Sequence, residues 1–197
     1  MDKPKKITQS NDAQLTPDQL LYQSLSYSMA GQSDLAIQSL EMLLKVNPKD
    51  ARALFLLGSE YAQNQRYADA IEKMNKVIQF DPNMDIARFQ LGMLYISSGR
   101  LSEAVNVWSG LDDLSQPHYL YLFKEGMLAL SRDDLERSVM LLQQGIAENT
   151  DNLALNKNMR IIIRGIKDMI LEDEKTTIDS TVDVTTDFLL KKYDLED

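Results

Sequence analysis

The sequence has no cysteine, one histidine and one tryptophan. Without cysteine there is no disulfide framework, no thiolate zinc site and no cysteine nucleophile. With His118 as the sole histidine, a metal centre or a nucleophile–base pair would need unusual parts. His118 lies between Pro117 and Tyr119 and reads as a junction-filling or exposed residue. No run of about 18 apolar residues occurs, which argues against a membrane-spanning helix. The stretch MDKPKKITQSNDAQLTPD has no apolar core and does not read as a secretory signal. These absences fit a cytoplasmic protein. No glycine-rich phosphate loop, cofactor site or catalytic constellation emerges, so a non-enzymatic protein is expected.

Positive charge is also scarce. The net charge is −9, and it is unevenly placed. Residues 172–197 carry nine acids and three bases, while residues 1–16 carry three bases and two acids. Such a balance repels phosphate backbones, so nucleic acid is an unfavourable partner. The 197 residues are 44% apolar, enough to bury a core.

What the chain does have is a 34-residue period. Leu57, Gly58 and Tyr61 recur as Leu91, Gly92 and Tyr95, with Ser24 and Tyr27 one period earlier and Gly126 two periods later. Ala70 maps onto Ala36, Ala104 and Ser138, and Pro48 onto Pro82. The repeats are 17–50, 51–84, 85–118 and 119–152, with no insertion. Each splits into two helices at AGQSD, NQR, SSGR or SRDD. Thr16 is a good N-cap ahead of Pro17. Asn47-Pro48 and Asp81-Pro82 end second helices, because proline disfavours the helical state before it. Repeat four ends at ENTDN without proline.

Counting from the start of each repeat, positions 4, 7, 8 and 11 share one stripe of the first helix at about 100° per residue. Positions 20, 24 and 27 face them from the second. Small residues at 8 and 20 let the paired helices approach closely, and larger ones at 4, 11 and 24, Trp108 among them, fill the remaining space.

This pattern resembles the tetratricopeptide repeat family. Repeat two fits almost throughout. Repeat three departs at Arg88 and at Gln116-Pro117, and repeat four at Glu125, Ala129 and Thr150. The resemblance implies an all-α fold: a right-handed α-solenoid of four helix-turn-helix repeats. Residues 153–171 continue as a capping helix. Its apolar stripe is Leu155, Met159, Ile162, Ile163 and Ile166, and its polar face is Asn156, Lys157, Arg160, Arg164 and Lys167.

In that family, positions 2, 5, 9, 12 and 13 of the first helices line a concave peptide-binding groove. Here those positions are unusually apolar. The candidate groove residues are Leu21, Leu25, Phe55, Ser59, Phe89, Met93, Ile96, Phe123, Met127 and Leu130. Phe55, Phe89 and Phe123 would form a ladder with one aromatic per repeat. Ladder rungs about 8–10 Å apart suit an extended or helical ligand with regular apolar anchors, and on this reading Phe89→Ala weakens a partner while sparing the fold. Repeats that clamp the terminal carboxylate of heat-shock chaperones use lysine and asparagine at positions 5 and 9. Leu21, Phe55, Leu25 and Ser59 stand there instead, which argues against that ligand. Arg52 and Lys124 read as isolated, solvated bases.

Residues 1–16 are polar and are expected to be disordered, and the acidic stretch 172–197 to be flexible. Phe188, Leu189, Leu190, Tyr193 and Leu195 cluster in the latter, where they could serve self-association or docking in a groove. The expected function is a protein interaction scaffold or adaptor that takes an apolar peptide or helix. A secretion or assembly chaperone, like those of type III translocators, and a structural subunit of a larger assembly are the alternatives.

Overall fold

A computed structural model describes residues 15–114 and 117–172. The expectations for residues 1–14 and 173–197 fall outside the described residues. Among the described residues eight α-helices occur in pairs: α1 (Pro17–Met29) with α2 (Ser33–Val46), α3 (Ala51–Gln63) with α4 (Tyr67–Phe80), α5 (Asp85–Ser97) with α6 (Leu101–Trp108), and α7 (Tyr119–Leu130) with α8 (Leu135–Glu148). A ninth, α9, spans 153–172. First helices begin at 17, 51, 85 and 119, and second helices at 33, 67, 101 and 135. Both series step by the 34-residue period. Val107 closes one compact unit and Trp108 opens another.

Capping chemistry sets several of these starts. The Thr16 hydroxyl accepts from the Gln19 N–H at 3.3 Å, and the Thr16 N–H donates to Gln19 Oε1 at 2.8 Å, a reciprocal capping box. One period later Asp50 Oδ1 accepts from the N–H groups of Arg52 and Ala53 at 3.0 and 3.1 Å. Val46 and Phe80 end α2 and α4, with Asn47 and Asp81 non-helical before their prolines. The second helix of repeat three stops early, at Trp108, and a 3-10 turn, Ser109–Leu111, follows. Gly110 weakens the helix there, and Asp112 and Asp113 would oppose its negative end.

The core follows the repeat. Position 20 is occupied by Ala36, Ala70, Ala104 and Ser138, and position 24 by Leu40, Met74, Trp108 and Leu142, all buried. At position 8 a Cβ on Gly58 would stand 3.1 Å from Met74 Cε and 3.4 Å from the Ala70 carbonyl oxygen. One on Gly126 would stand 2.8 Å from Leu142 Cδ2. At Gly126 a methyl group would therefore force Leu142 to shift, whereas at Gly58 it would need Met74 to give way by only a small amount.

Polar links recur with the same period. The Tyr61 hydroxyl donates to Glu41 at 3.2 Å, and Asn75 donates to the Tyr95 hydroxyl at 3.3 Å. Arg66 lies over the Tyr61 ring and Arg100 over the Tyr95 ring. Burial first, and then the Glu41 carboxylate, push the Tyr61 phenol above its ordinary value. Repeat four closes by another device. Asn149 and Asn156 are buried and bond side chain to side chain at 2.8 Å. Asn152 Oδ1 accepts from the Leu155 N–H at 3.0 Å and caps α9. Leu155, Met159, Ile163 and Ile166 of α9 are buried, Ile162 is half-buried, and Lys157, Arg160, Arg164 and Lys167 are exposed. Asn156 departs from the sequence reading of a polar outer face: its amide satisfies the backbone carbonyl of Asn149, at 2.8 Å.

The two close glycines should respond differently to alanine. Gly126→Ala should cost about 1–3 kcal/mol in urea denaturation, because the branched end of Leu142 has to shift in a closed core. Gly58→Ala should be nearly neutral, since the helix-propensity gain of up to about 1 kcal/mol offsets displacing a flexible Met74 methyl. At Asp50, burial pushes the carboxyl upward, but Arg52 and the two N–H donors outweigh it and leave the group below its ordinary 3.8. A depressed carboxylate stabilises the fold above that value and loses its contribution as pH falls through the lower, folded-state one. Asp50→Ala should therefore cost about 1 kcal/mol at neutral pH. The gap to wild type should shrink in acid unfolding measurements.

Candidate functional site

The candidate face lies on first helices, beside the stripe that builds the core. In residues 15–107 it is carried by α1, α3 and α5. Leu21, Phe55, Ser59, Met93 and Ile96 are half-buried, and Leu25 is 40% exposed. The Ser59 hydroxyl lies 2.9 Å from the Phe55 carbonyl and 3.3 Å from Gln90 Oε1 on α5. Arg52 of α3 approaches Asp18 of α1 at 3.7 Å. These contacts tie the first helices to one another along the face.

The aromatic ladder is shorter than its spacing predicts. Phe89 and Phe123 are 0% exposed and Met127 is 5% exposed, so none of the three offers a surface to a ligand. Phe123 is drawn inward by Gly145. At that position a Cβ would sit 2.5 Å from the Phe123 ring, so the ring occupies the space that the glycine leaves. Tyr119 packs edge-on against it, with ring centroids 5.8 Å apart. Phe89 belongs to a helix buried over a wide arc, with Ala87, Leu91, Gly92, Leu94 and Tyr95. By contrast, only Leu20 and Ser24 of α1 are buried. In residues 108–172 the remaining member is Leu130, which is half-buried.

The two bases part company. Arg52 is exposed and hydrogen-bonded to Asp50 at 3.2 Å. Lys124 is only 3% exposed, which overturns its reading as a solvated base. Its ammonium pairs with Asp112 and with Glu125, the latter at 3.1 Å, and lies over the Tyr121 ring at 4.4 Å. Burial would lower its pKa, but the two carboxylates outweigh that and raise it. The pair holds the turn after α6 against α7. Nothing in the 34-residue pattern marks position 6 for such a role.

His118 caps α7. Its Nδ1 accepts from the Leu120 N–H at 3.2 Å, and its ring stacks on Tyr119. An open cavity of about 430 Å³ lies at the α1–α2 turn, lined by Gly31, Gln32, Ser33, Asp34, Leu35 and Asn64. None of the ladder residues lines it. Ser33 there donates to the buried Glu60 at 2.5 Å and accepts from Asn64 at 2.6 Å, which joins the turn to α3. Among the described residues no group of three or more metal-binding side chains converges, and no helix is long and apolar enough to cross a membrane.

Two family models, both described as tetratricopeptide repeat, match residues 23–85 and 61–118. The fold is similar to TTC0263, a thermophilic tetratricopeptide repeat protein of Thermus thermophilus. That match has 16% identity and a TM-score of 0.65, and covers 79% of this chain and 83% of that one. It is also similar to MamA from Desulfovibrio magneticus RS-1, with 14% identity and a TM-score of 0.56, over 79% of this chain and 96% of that one. A further match is to the Cut9–Hcn1 hetero-tetramer of the APC/C, with 16% identity and a TM-score of 0.61. It covers 68% of this chain but 25% of that one. No curated protein sequence matches the chain.

Burial reverses the expectation for the two inner phenylalanines. Phe89→Ala and Phe123→Ala should each destabilise the protein by about 3–5 kcal/mol. Chemical denaturation of the two variants checks this, and a midpoint close to wild type would place these rings outside the core.

Proposed function

This chain belongs to the tetratricopeptide repeat family, and from that premise we propose that it is a non-enzymatic interaction module. It binds an apolar peptide or helix of a partner protein on the shared face of α1, α3 and α5. Leu21, Leu25, Phe55, Met93 and Ile96 supply apolar contact, and Ser59 a hydrogen bond. The observation that carries this reading is the partial exposure of apolar side chains at positions 5, 9 and 12 of these first helices, whose core stripes are otherwise closed. Fully burying one such side chain is worth about 1.5–3 kcal/mol, so two or three anchors account for a useful affinity.

A protein partner fits the net charge of −9 better than nucleic acid does. The cysteine-free composition suits the cytoplasm. Scaffold and assembly chaperone would both use this face and differ in the fate of the bound partner, whereas an assembly subunit would use the outer face instead. A catalytic role finds no support in His118, whose ring serves as a helix cap.

A pull-down from native extract with wild type, Phe55→Ala and Met93→Ala tests the face. Both side chains are half-buried, so the variants should keep their helix content and most of their stability. A partner captured by wild type should bind each purified variant about tenfold more weakly, a loss of about 1.4 kcal/mol. Unchanged affinity in both folded variants would remove the face from consideration.

A further inference from the structure

Among the described residues of this acidic chain, α9 carries a concentrated basic surface. On α9, Lys157, Arg160, Arg164 and Lys167 are all exposed. At about 100° per residue they fall within an arc of about 80°, next to the stripe buried through Leu155, Met159, Ile163 and Ile166. Leu153 and Leu171, both more than half exposed, lie on the same arc at either end of the basic run. Among the described residues none of the four bases is paired with a carboxylate. Asp168 and Glu172 are the acids of this helix, and both lie outside the basic arc.

The residues after α9 have the opposite character. Residues 173–197 hold eight acids and three bases, with Ile178, Val182 and Val184 interleaved among Asp179, Asp183 and Asp187. We propose that this segment docks on the basic face of α9 of its own chain. Asp179, Asp183 and Asp187 pair with the run from Lys167 back to Lys157, and the neighbouring apolar residues cover Leu153 and Leu171.

Reach permits it. Residues 173–178 extend to about 20 Å at most, while Lys167 lies about 8 Å back along α9 from its last residue and Lys157 about 22 Å. Tethering favours this occupant over any free acidic peptide, because a short covalent connection supplies an effective concentration in about the millimolar range. Several charges on each side also make the contact sensitive to ionic strength. The screening length falls from about 10 Å at 0.1 M salt to about 3 Å at 1 M.

Paramagnetic relaxation in the full-length chain tests the proposal. The absence of native cysteine allows one nitroxide at Thr181→Cys with no other change. At 0.1 M salt the amide signals of residues 157–167 should lose intensity, and at 1 M salt they should recover. The double variant Arg160→Glu/Arg164→Glu should abolish the loss while circular dichroism stays that of the wild type. Lys157→Gln/Lys167→Gln is the milder control should that variant unfold, and it should reduce the loss. Three results overturn the proposal: no intensity loss at low salt, a loss that survives charge reversal in a folded variant, or transfer of the effect to an isotope-labelled, nitroxide-free copy in a mixed sample. The last would assign the segment to self-association instead.

Discussion

The structure depends on how closely the two helices of a repeat approach. At positions 8 and 20 the chain places glycine, alanine or serine, and the hairpins close until a Cβ on Gly58 or Gly126 meets the opposing helix. Each such glycine costs about 1 kcal/mol of helix propensity relative to alanine. The cost is offset because a close pair lets one large side chain, at position 24, fill the space between the helices. Leu40, Met74, Trp108 and Leu142 differ greatly in size yet are all fully buried.

That constraint explains which features were legible in the sequence. Helix starts 34 residues apart follow from a repeated pattern of caps, small residues and breakers, and Thr16, Pro48 and Pro82 each act through local backbone chemistry. The core stripe was legible because it repeats. Features that occur in one repeat were not. Lys124 is buried because Asp112 and Glu125 happen to flank it, and Asp112 comes from a turn created by an early helix end. Asn156 turns inward because Asn149 replaces the backbone lock that proline supplies elsewhere. Gly110, Asp112 and Asp113 are the residues that could have signalled the early helix end in the first case.

The candidate face shows the same division. Position 5 carries phenylalanine in three successive repeats, and periodicity alone treats the three alike. Packing does not. Phe123 fills the gap above Gly145, a residue unique to the fourth repeat at position 27, where Leu43, Val77 and Leu111 stand in the others. For Phe123 the deciding feature is the missing side chain at Gly145 on the second helix, a tertiary pairing that a single-helix pattern does not encode, whereas Phe89 is buried although Leu111 stands at that position of its repeat.

A repeat array has two kinds of freedom left once its core is closed. One is the choice of residue beside the core stripe, where Phe55, Met93 and Ile96 keep some apolar surface in water. The other is the outer face of α9, which no further repeat covers among the described residues. Solubility requires that face to be polar, but it sets no sign of charge. In a chain of net charge −9, acids would satisfy the requirement as well as bases, yet Lys157, Arg160, Arg164 and Lys167 stand together there. Exposed like charges at three- and four-residue spacing repel one another along a helix. Their concentration beside the most acidic stretch of the same sequence is then a departure from what folding needs, and charge pairing is the interaction that turns that repulsion into a gain.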